Sequence, residues 1–292
     1  MFKGSLVALI TPMREDGSVD EKAYAEFVEW QINEGTQGLI PVGTTGESPT
    51  LSHDEHRRVV EIAIKVAKGR VPIIAGTGSN STEEAIELTR HAKEAGANAA
   101  LIVTPYYNKP TQEGMFLHYS AIADSVDIPI VIYNIPGRSV VNMSVETMAR
   151  LSKHKNIVGV KDSTGDLARP IHQRLASGAD FCQLSGEDHM AVAFLAAGGH
   201  GCISVTANVA PRLCADMHNA WAVGRVKDAI AIQDRLTPLH DALFSETSPG
   251  PVKYAASLMG KTTERCRLPL APPAGPTRER VRAAMTVVGL LN

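Results

Sequence analysis

The sequence predicts an α/β protein built as a closed (β/α)8 TIM barrel with a C-terminal helical extension. Three observations lead there. Short apolar runs recur eight times, each is followed by a helical pattern, and the runs are apolar throughout rather than alternating. They begin about every 20–33 residues, the length of a strand plus a crossover helix. Unbroken apolarity is what parallel strands covered on both faces require.

In order, the runs are Leu6–Thr11, Leu39–Val42, Val71–Ala75, Ala100–Thr104, Ile130–Tyr133, Ile157–Val160, Phe181–Leu184 and Cys202–Val205. The segments between them carry helix signals. Ser52-x-x-Glu55 and Ser81-x-x-Glu84 fit the capping box. Val59, Ile62, Ala63 and Val66 then share one helical face, as do Ala85, Leu88, Thr89 and Ala92 before a stop at Gly96. Ser144 and Asp166 are positioned to cap two more helices, and Pro211 opens Arg212–Val223. Eight β-α units in a row favour closure. The alternative, an open doubly wound sheet, lacks its usual dinucleotide signature, because Ser81 stands where Gly76-Thr-Gly78 needs a third glycine.

We divide the 292 residues into a barrel, 1–224, and an extension, 225–292. The extension reads as helices over Val226–Leu243, Val252–Met259 and Glu279–Leu291, with a proline-rich crossing at Pro269, Pro272, Pro273 and Pro276. It is longer than a barrel needs and is suited to covering the barrel or to an oligomer contact.

With 44% hydrophobic and 21% charged residues, the chain has the composition of a globular protein with a full core. A formal charge of -2 gives no basic surface for nucleic acid or anionic membrane. Cys182, Cys202, Cys214 and Cys266 are scattered without a C-x-x-C pair, which argues against zinc and a disulfide framework. Leu6–Ile10 is too short for a signal or a span. The expected location is the cytoplasm.

In such barrels the chemistry lies at the carboxyl ends of the strands. That rule selects Thr11, Gly43–Glu47, Thr77, Thr104–Asn108, Tyr133–Arg138, Lys161, Gly186–Asp188 and Ser204–Asn208. Lys161 is the centre of this set. Ile157, Gly159 and Lys161 share one strand face by alternation, with Gly159 leaving room beside the lysine stem. A buried ammonium is costly and is disfavoured against the neutral amine. Such a lysine is either a nucleophile or the partner of a carboxylate such as Asp162. Tyr133 ends the neighbouring strand, where a phenol can carry protons. The Gly43–Gly46 turn offers N–H groups and hydroxyls to an anion, and Arg138 offers a guanidinium fork to a second carboxylate. Together these parts suit imine chemistry. A lysine amine condenses with a ketone, and the protonated imine then stabilises a carbanion at the adjacent carbon, with no metal or organic cofactor.

Gly43-Thr-Thr-Gly-Glu47, Gly76-Thr-Gly78, Val103-Thr-Pro-Tyr-Tyr-Asn108, Tyr133-Asn-Ile-Pro-Gly-Arg138, Gly159-Val-Lys-Asp162 and Gly199-His-Gly-Cys-Ile-Ser-Val-Thr-Ala-Asn208 occur in that order. In this combination the chain resembles the dihydrodipicolinate synthase family of pyruvate-dependent Schiff-base lyases and aldolases, over its whole length. The resemblance implies condensation of pyruvate, held as an imine on Lys161, with L-aspartate 4-semialdehyde, on the diaminopimelate route to L-lysine. It implies a proton relay of Thr44, Tyr133 and Tyr107, the last reaching into a neighbouring subunit. It implies that Thr45 holds the pyruvate carboxylate, Arg138 the carboxylate of the aldehyde substrate, and that Gly186 and Ile203 line the site. It also implies a homotetramer, a dimer of dimers, and feedback inhibition by L-lysine at Ser48, His53, His56, Asn80, Glu84 and Tyr106.

Without the resemblance, His53-x-x-His56 reads as a solvated first helical turn. No third ligand stands at a recognisable spacing, so no metal is expected. The sequence departs from the family at Asp162, where glutamate is common, at Ser248–Lys253, which replaces an asparagine-containing variant, and at Pro49, often a smaller residue. Related lyases acting on N-acetylneuraminate or keto-deoxy sugar acids share the lysine and the tyrosine, but commonly differ where Thr45, Tyr107 and Arg138 stand here. A non-catalytic relative would be signalled by loss of the lysine or the relay, and both are present.

Overall fold

A computed structural model describes residues 1–291. Its strands are β1 (Gly4–Ala8), β2 (Gly38–Ile40), β3 (Ile74–Gly76), β4 (Ala99–Val103), β5 (Ile130–Asn134), β6 (Ile157–Asp162), β7 (Cys182–Ser185) and β8 (Gly201–Ser204). All pair in parallel, in the order β2-β1-β8-β7-β6-β5-β4-β3. The two ends of that sheet meet in a parallel bridge, Leu39 to Ile73, where Leu39 N donates to Pro72 O at 2.9 Å. The barrel of the sequence reading is therefore present and nearly closed.

The helices are α1 (Glu21–Asn33), α2 (His53–Ala67), α3 (Thr82–Ala95), α4 (Gln112–Ser125), α5 (Pro136–Ser139), α6 (Val145–Leu151), α7 (Arg169–Ser177), α8 (Ala191–Ala196), α9 (Pro211–Ala222), α10 (Val226–Leu243), α11 (Gly250–Leu258) and α12 (Gly275–Val287). Alternate strand residues divide the core. Leu6, Ala8, Ile40, Ile74, Val131 and Ile203 fill the barrel interior. Val7, Leu39, Ala75, Ile130 and Ile132 face the helices instead.

Several local expectations needed correction. The Ser52 capping box forms with Glu55. The one at Ser81 forms only by half, because the Glu84 carboxylate turns to Ser79 and His53. Ser144 caps α6 through Thr147 N, but Asp166 does not cap α7. Its carboxylate accepts from Ala168 N, and Ala168 itself holds the cap position. The final helix begins at Gly275 with Pro276 in its first turn and ends at Val287. The register of β6 slips at Ile130/Val131, so Ile157 packs outward while Gly159 follows Val131 inward. Ile157 and Lys161 therefore do not share a face, since a bulge breaks period-two alternation.

The extension shares the barrel's hydrophobic core. Leu236, Leu239, Val252, Ala255 and Val281 are buried in one cluster with Leu9, Val42 and Val59.

Candidate active site

Lys161 and Tyr133 face each other in register at the carboxyl ends of β6 and β5. Both are 6% exposed, and the Lys161 Nζ stands 4.1 Å from the centre of the Tyr133 ring. The strand pleat decides what the lysine does not meet. Asp162, one residue on, points outward to α7, where its carboxylate accepts from Arg169 Nε at 3.0 Å and Gln173 Nε2 at 3.2 Å. Its other oxygen accepts from Thr164 N and Oγ1. Asp162 is thus satisfied on the far side of the sheet, and among the described residues no carboxylate pairs with Lys161. The alternative of an ion pair within this stretch is excluded by the pleat.

Room for the lysine comes from Gly186 rather than Gly159. A Cβ at Gly186 would stand 2.9 Å from Lys161 Cε and collide with Ser163 Oγ. A Cβ at Gly159 would instead strike the backbone and side chain of Cys182 on β7. Glu187, the next residue, is half-buried. Burial raises its carboxyl, and the nearby Lys161 charge opposes that rise. The sequence reading included Glu187 in the strand-end set but gave it no role.

The Thr44–Gly46 turn closes as a single 3-10 turn, with Gly46 N donating to Gly43 O at 3.0 Å. Thr11 Oγ1 donates to Gly46 O at 2.7 Å and ties the turn to the end of β1. The turn uses the N–H groups of Gly46 and Glu47 internally. Those of Thr44 and Thr45 have no partner among the described residues, as at any helical N-terminus. Thr45 is buried and Thr44 borders a cavity of about 190 Å³. Arg138 on α5 lines the same cavity, and its Nη2 reaches Ser248 O at 3.5 Å. Ile203 lies on β8 in the interior cluster with Tyr133.

Tyr107 is not brought to this group. It is 90% exposed with φ +69, a backbone region bulky residues rarely adopt.

A second cavity, of about 170 Å³, is lined by Ser48, His53, His56, Glu84 and Tyr106. It shares Ser48, Pro49, Gly78 and Tyr106 with the first cavity, so one wall separates them. His53 Nε2 pairs with Glu84 Oε1 at 2.9 Å. His56 Nε2 bonds Gly76 O at 2.9 Å, and burial pushes this imidazole down to about 4, so the neutral ring donates. Burial and then the Glu84 charge raise the Tyr106 phenol. Asn80 is not in the lining, and its backbone carbonyl accepts from Asn108 Nδ2 at 2.8 Å. Among the described residues no cluster of three His, Cys, Asp or Glu is arranged for a metal, and no helix is long and apolar enough to cross a membrane.

Residues 1–288 match the model of the dihydrodipicolinate synthetase family. A curated 4-hydroxy-tetrahydrodipicolinate synthase of Rhodospirillum centenum is 69% identical over 292 residues, covering 100% of both chains. This chain belongs to the dihydrodipicolinate synthetase family. Among solved members, the chloride-inhibited dihydrodipicolinate synthase of Acinetobacter baumannii, complexed with pyruvate, superposes with a TM-score of 0.97 at 46% identity, covering 100% of both chains. The family enzyme of Cyanidioschyzon merolae with lysine bound superposes at 0.96 and 36% identity, covering 99% of each. The fold and family implied by the ordered motifs are thereby established, and the sugar-acid lyase alternative is not favoured.

Two residues that the sequence reading left without a role belong beside the site. Glu47 directly follows the Thr44–Gly46 turn, and Lys253 lies on α11, yet the two meet in full burial. The available signal was a lone charge at Lys253 inside the apolar helical run Pro251–Ala256.

Proposed function

We propose that this chain is a lyase with 4-hydroxy-tetrahydrodipicolinate synthase activity, joining pyruvate to L-aspartate 4-semialdehyde through an imine on Lys161. One observation carries the residue assignment: an interior lysine that forms no ion pair among the described residues, packed on a tyrosine at the carboxyl end of a barrel strand. The Lys161 Nζ lone pair attacks C2 of pyruvate, and loss of water forms the imine. Removal of a C3 proton gives the enamine. C3 then attacks the aldehyde carbon, whose oxygen takes up a proton. The substrate's own amine next attacks C2, closes the ring and releases Lys161 as the free amine. Tyr133 and Thr44 carry the protons, with Tyr107 supplied by a neighbouring subunit. Thr45 and the free turn N–H groups seat the pyruvate carboxylate, Arg138 holds the second substrate's carboxylate, and Gly186 and Ile203 shape the floor. The route needs no metal or organic cofactor.

The exposure of Tyr107 supports a site completed between subunits, and we place the chain in a homotetramer built as a dimer of dimers. The second cavity supports feedback binding of L-lysine. Its ammonium groups would meet Glu84 and the Tyr106 hydroxyl, with Ser48, His53, His56 and Asn80 around them. We keep the boundary at 224/225, with the barrel carrying the chemistry and the extension supporting it. Four free, buried thiols suit the cytoplasm. Neither nucleic acid nor membrane enters this reading.

Borohydride reduction in the presence of pyruvate tests the assignment. The expected result is a covalent adduct mapped to Lys161 by peptide mass. No adduct, or one on another lysine, removes it.

A further inference from the structure

Glu47 and Lys253 form an ion pair in which both side chains are 0% exposed. Lys253 Nζ donates to Glu47 Oε1 at 2.7 Å. The second carboxylate oxygen accepts from Arg267 N at 2.8 Å. The Arg267 guanidinium then reaches Gly17 O at 2.9 Å, Thr50 O at 2.6 Å and Glu55 Oε2 at 2.7 Å. Two separate segments of the extension therefore converge on the residue after the Thr44-Thr45-Gly46 turn. Glu47 is left-handed at φ 59 and ψ 35, and its side chain is fully buried. Ser248, just before α11, also holds the guanidinium of Arg138.

A buried pair of this kind is a poor source of stability, because desolvating two charges offsets most of their attraction. It is a good source of position, because neither charge tolerates leaving the other. Glu47 is also joined to Thr45 through a single intervening residue.

The geometry points to Lys253 and Glu47 as positioning residues for the pyruvate-carboxylate seat, through which the C-terminal extension sets where the Thr44–Thr45 turn stands in the barrel mouth. This rests on the function proposed above, in which Thr45 receives that carboxylate. Lys253 touches no substrate and acts only through Glu47.

The test uses the full-length enzyme and steady-state kinetics with pyruvate varied. Lys253→Met leaves Glu47 charged and unpaired. It is expected to raise KM for pyruvate about tenfold or more, with a smaller fall in kcat, while Lys161 still traps pyruvate at saturation. The near-isosteric double variant Glu47→Gln/Lys253→Met removes both charges. It is expected to fold and to return KM to about threefold above wild type. If the single variant does not fold, the double variant decides alone. An unchanged KM in a folded variant, with only thermal stability lowered, overturns the inference and leaves the pair a structural one. Borohydride trapping on wild type is read separately, so a failure of the imine reading is distinguished from a failure of this one.

Discussion

Lys161 owes its character to the residues beside it. The strand pleat sends Asp162 outward to Arg169 and leaves the lysine on the tyrosine face. Gly186 supplies the space its stem occupies. Gly186→Ala is therefore expected to leave the barrel folded while lowering kcat by about 10–100-fold, because a displaced nucleophile loses its attack geometry. Steady-state assay with a circular dichroism control checks this. Wild-type adduct yield in the variant would show that the space is not needed. Three buried histidines contribute to the acid limb of stability. Burial pushes His56, His118 and His218 each down to about 4. Below the ordinary histidine value the unfolded chain takes up protons that the folded chain refuses. The histidine share of stability is thus complete above about pH 6.5, is lost as the pH drops towards 4 and levels below, each histidine accounting for on the order of 3 kcal/mol, while the Glu55 carboxyl, held down to about 2 chiefly by Arg267, carries the loss to lower pH. Melting temperature against pH reads this. His218→Gln is expected to flatten the limb by the share of one proton.

At the scale of elements, β6 and α7 are held by the Asp162–Arg169 pair, whose guanidinium also donates to Met143 O at 2.8 Å. Arg169→Met strands a buried carboxylate and is expected to cost about 3–5 kcal/mol in denaturant unfolding. A loss below about 1 kcal/mol would mean that Gln173 and Thr164 suffice to hold the charge. The 3-10 turn after β2 shows why a loop residue becomes a functional one. Its internal hydrogen bonds use two N–H groups and leave those of Thr44 and Thr45 without a partner among the described residues. The pattern of hydroxyls was visible in Thr44-Thr45, but which N–H groups remain free depends on the turn type adopted.

For the whole molecule, the exposed Tyr107 makes the association state part of the proposed activity. Tyr107→Ala is expected to lower turnover by about 10²–10³-fold with the barrel intact, the size of a lost proton carrier. Dilution is expected to lower specific activity in step with dissociation followed by light scattering. Constant specific activity through the dissociation range would place the complete site in one subunit. Because the two cavities share Ser48, Pro49, Gly78 and Tyr106, lysine in the second should alter the first. Inhibition by millimolar lysine that disappears in Glu84→Ala is the expected result.

The eight strands, the barrel and the family were legible in the chain, because each rests on local apolar runs and ordered motifs. The sequence also set Lys161 and Tyr133 near one another, since adjacent strand ends leave little freedom. Other features were beyond it. The β6 bulge takes Ile157 off the Lys161 face because register depends on the neighbouring strand. Gly186 rather than Gly159 makes room for the lysine because the contact runs between separate strands. Asp166 fails as a cap because the chain enters α7 two residues later. The buried meeting of Glu47 with Lys253 lies 206 positions apart in sequence, and no local pattern carries a pairing of that range. Such contacts are decided only when the extension packs into the barrel's own core, where two charges hidden from water must find each other.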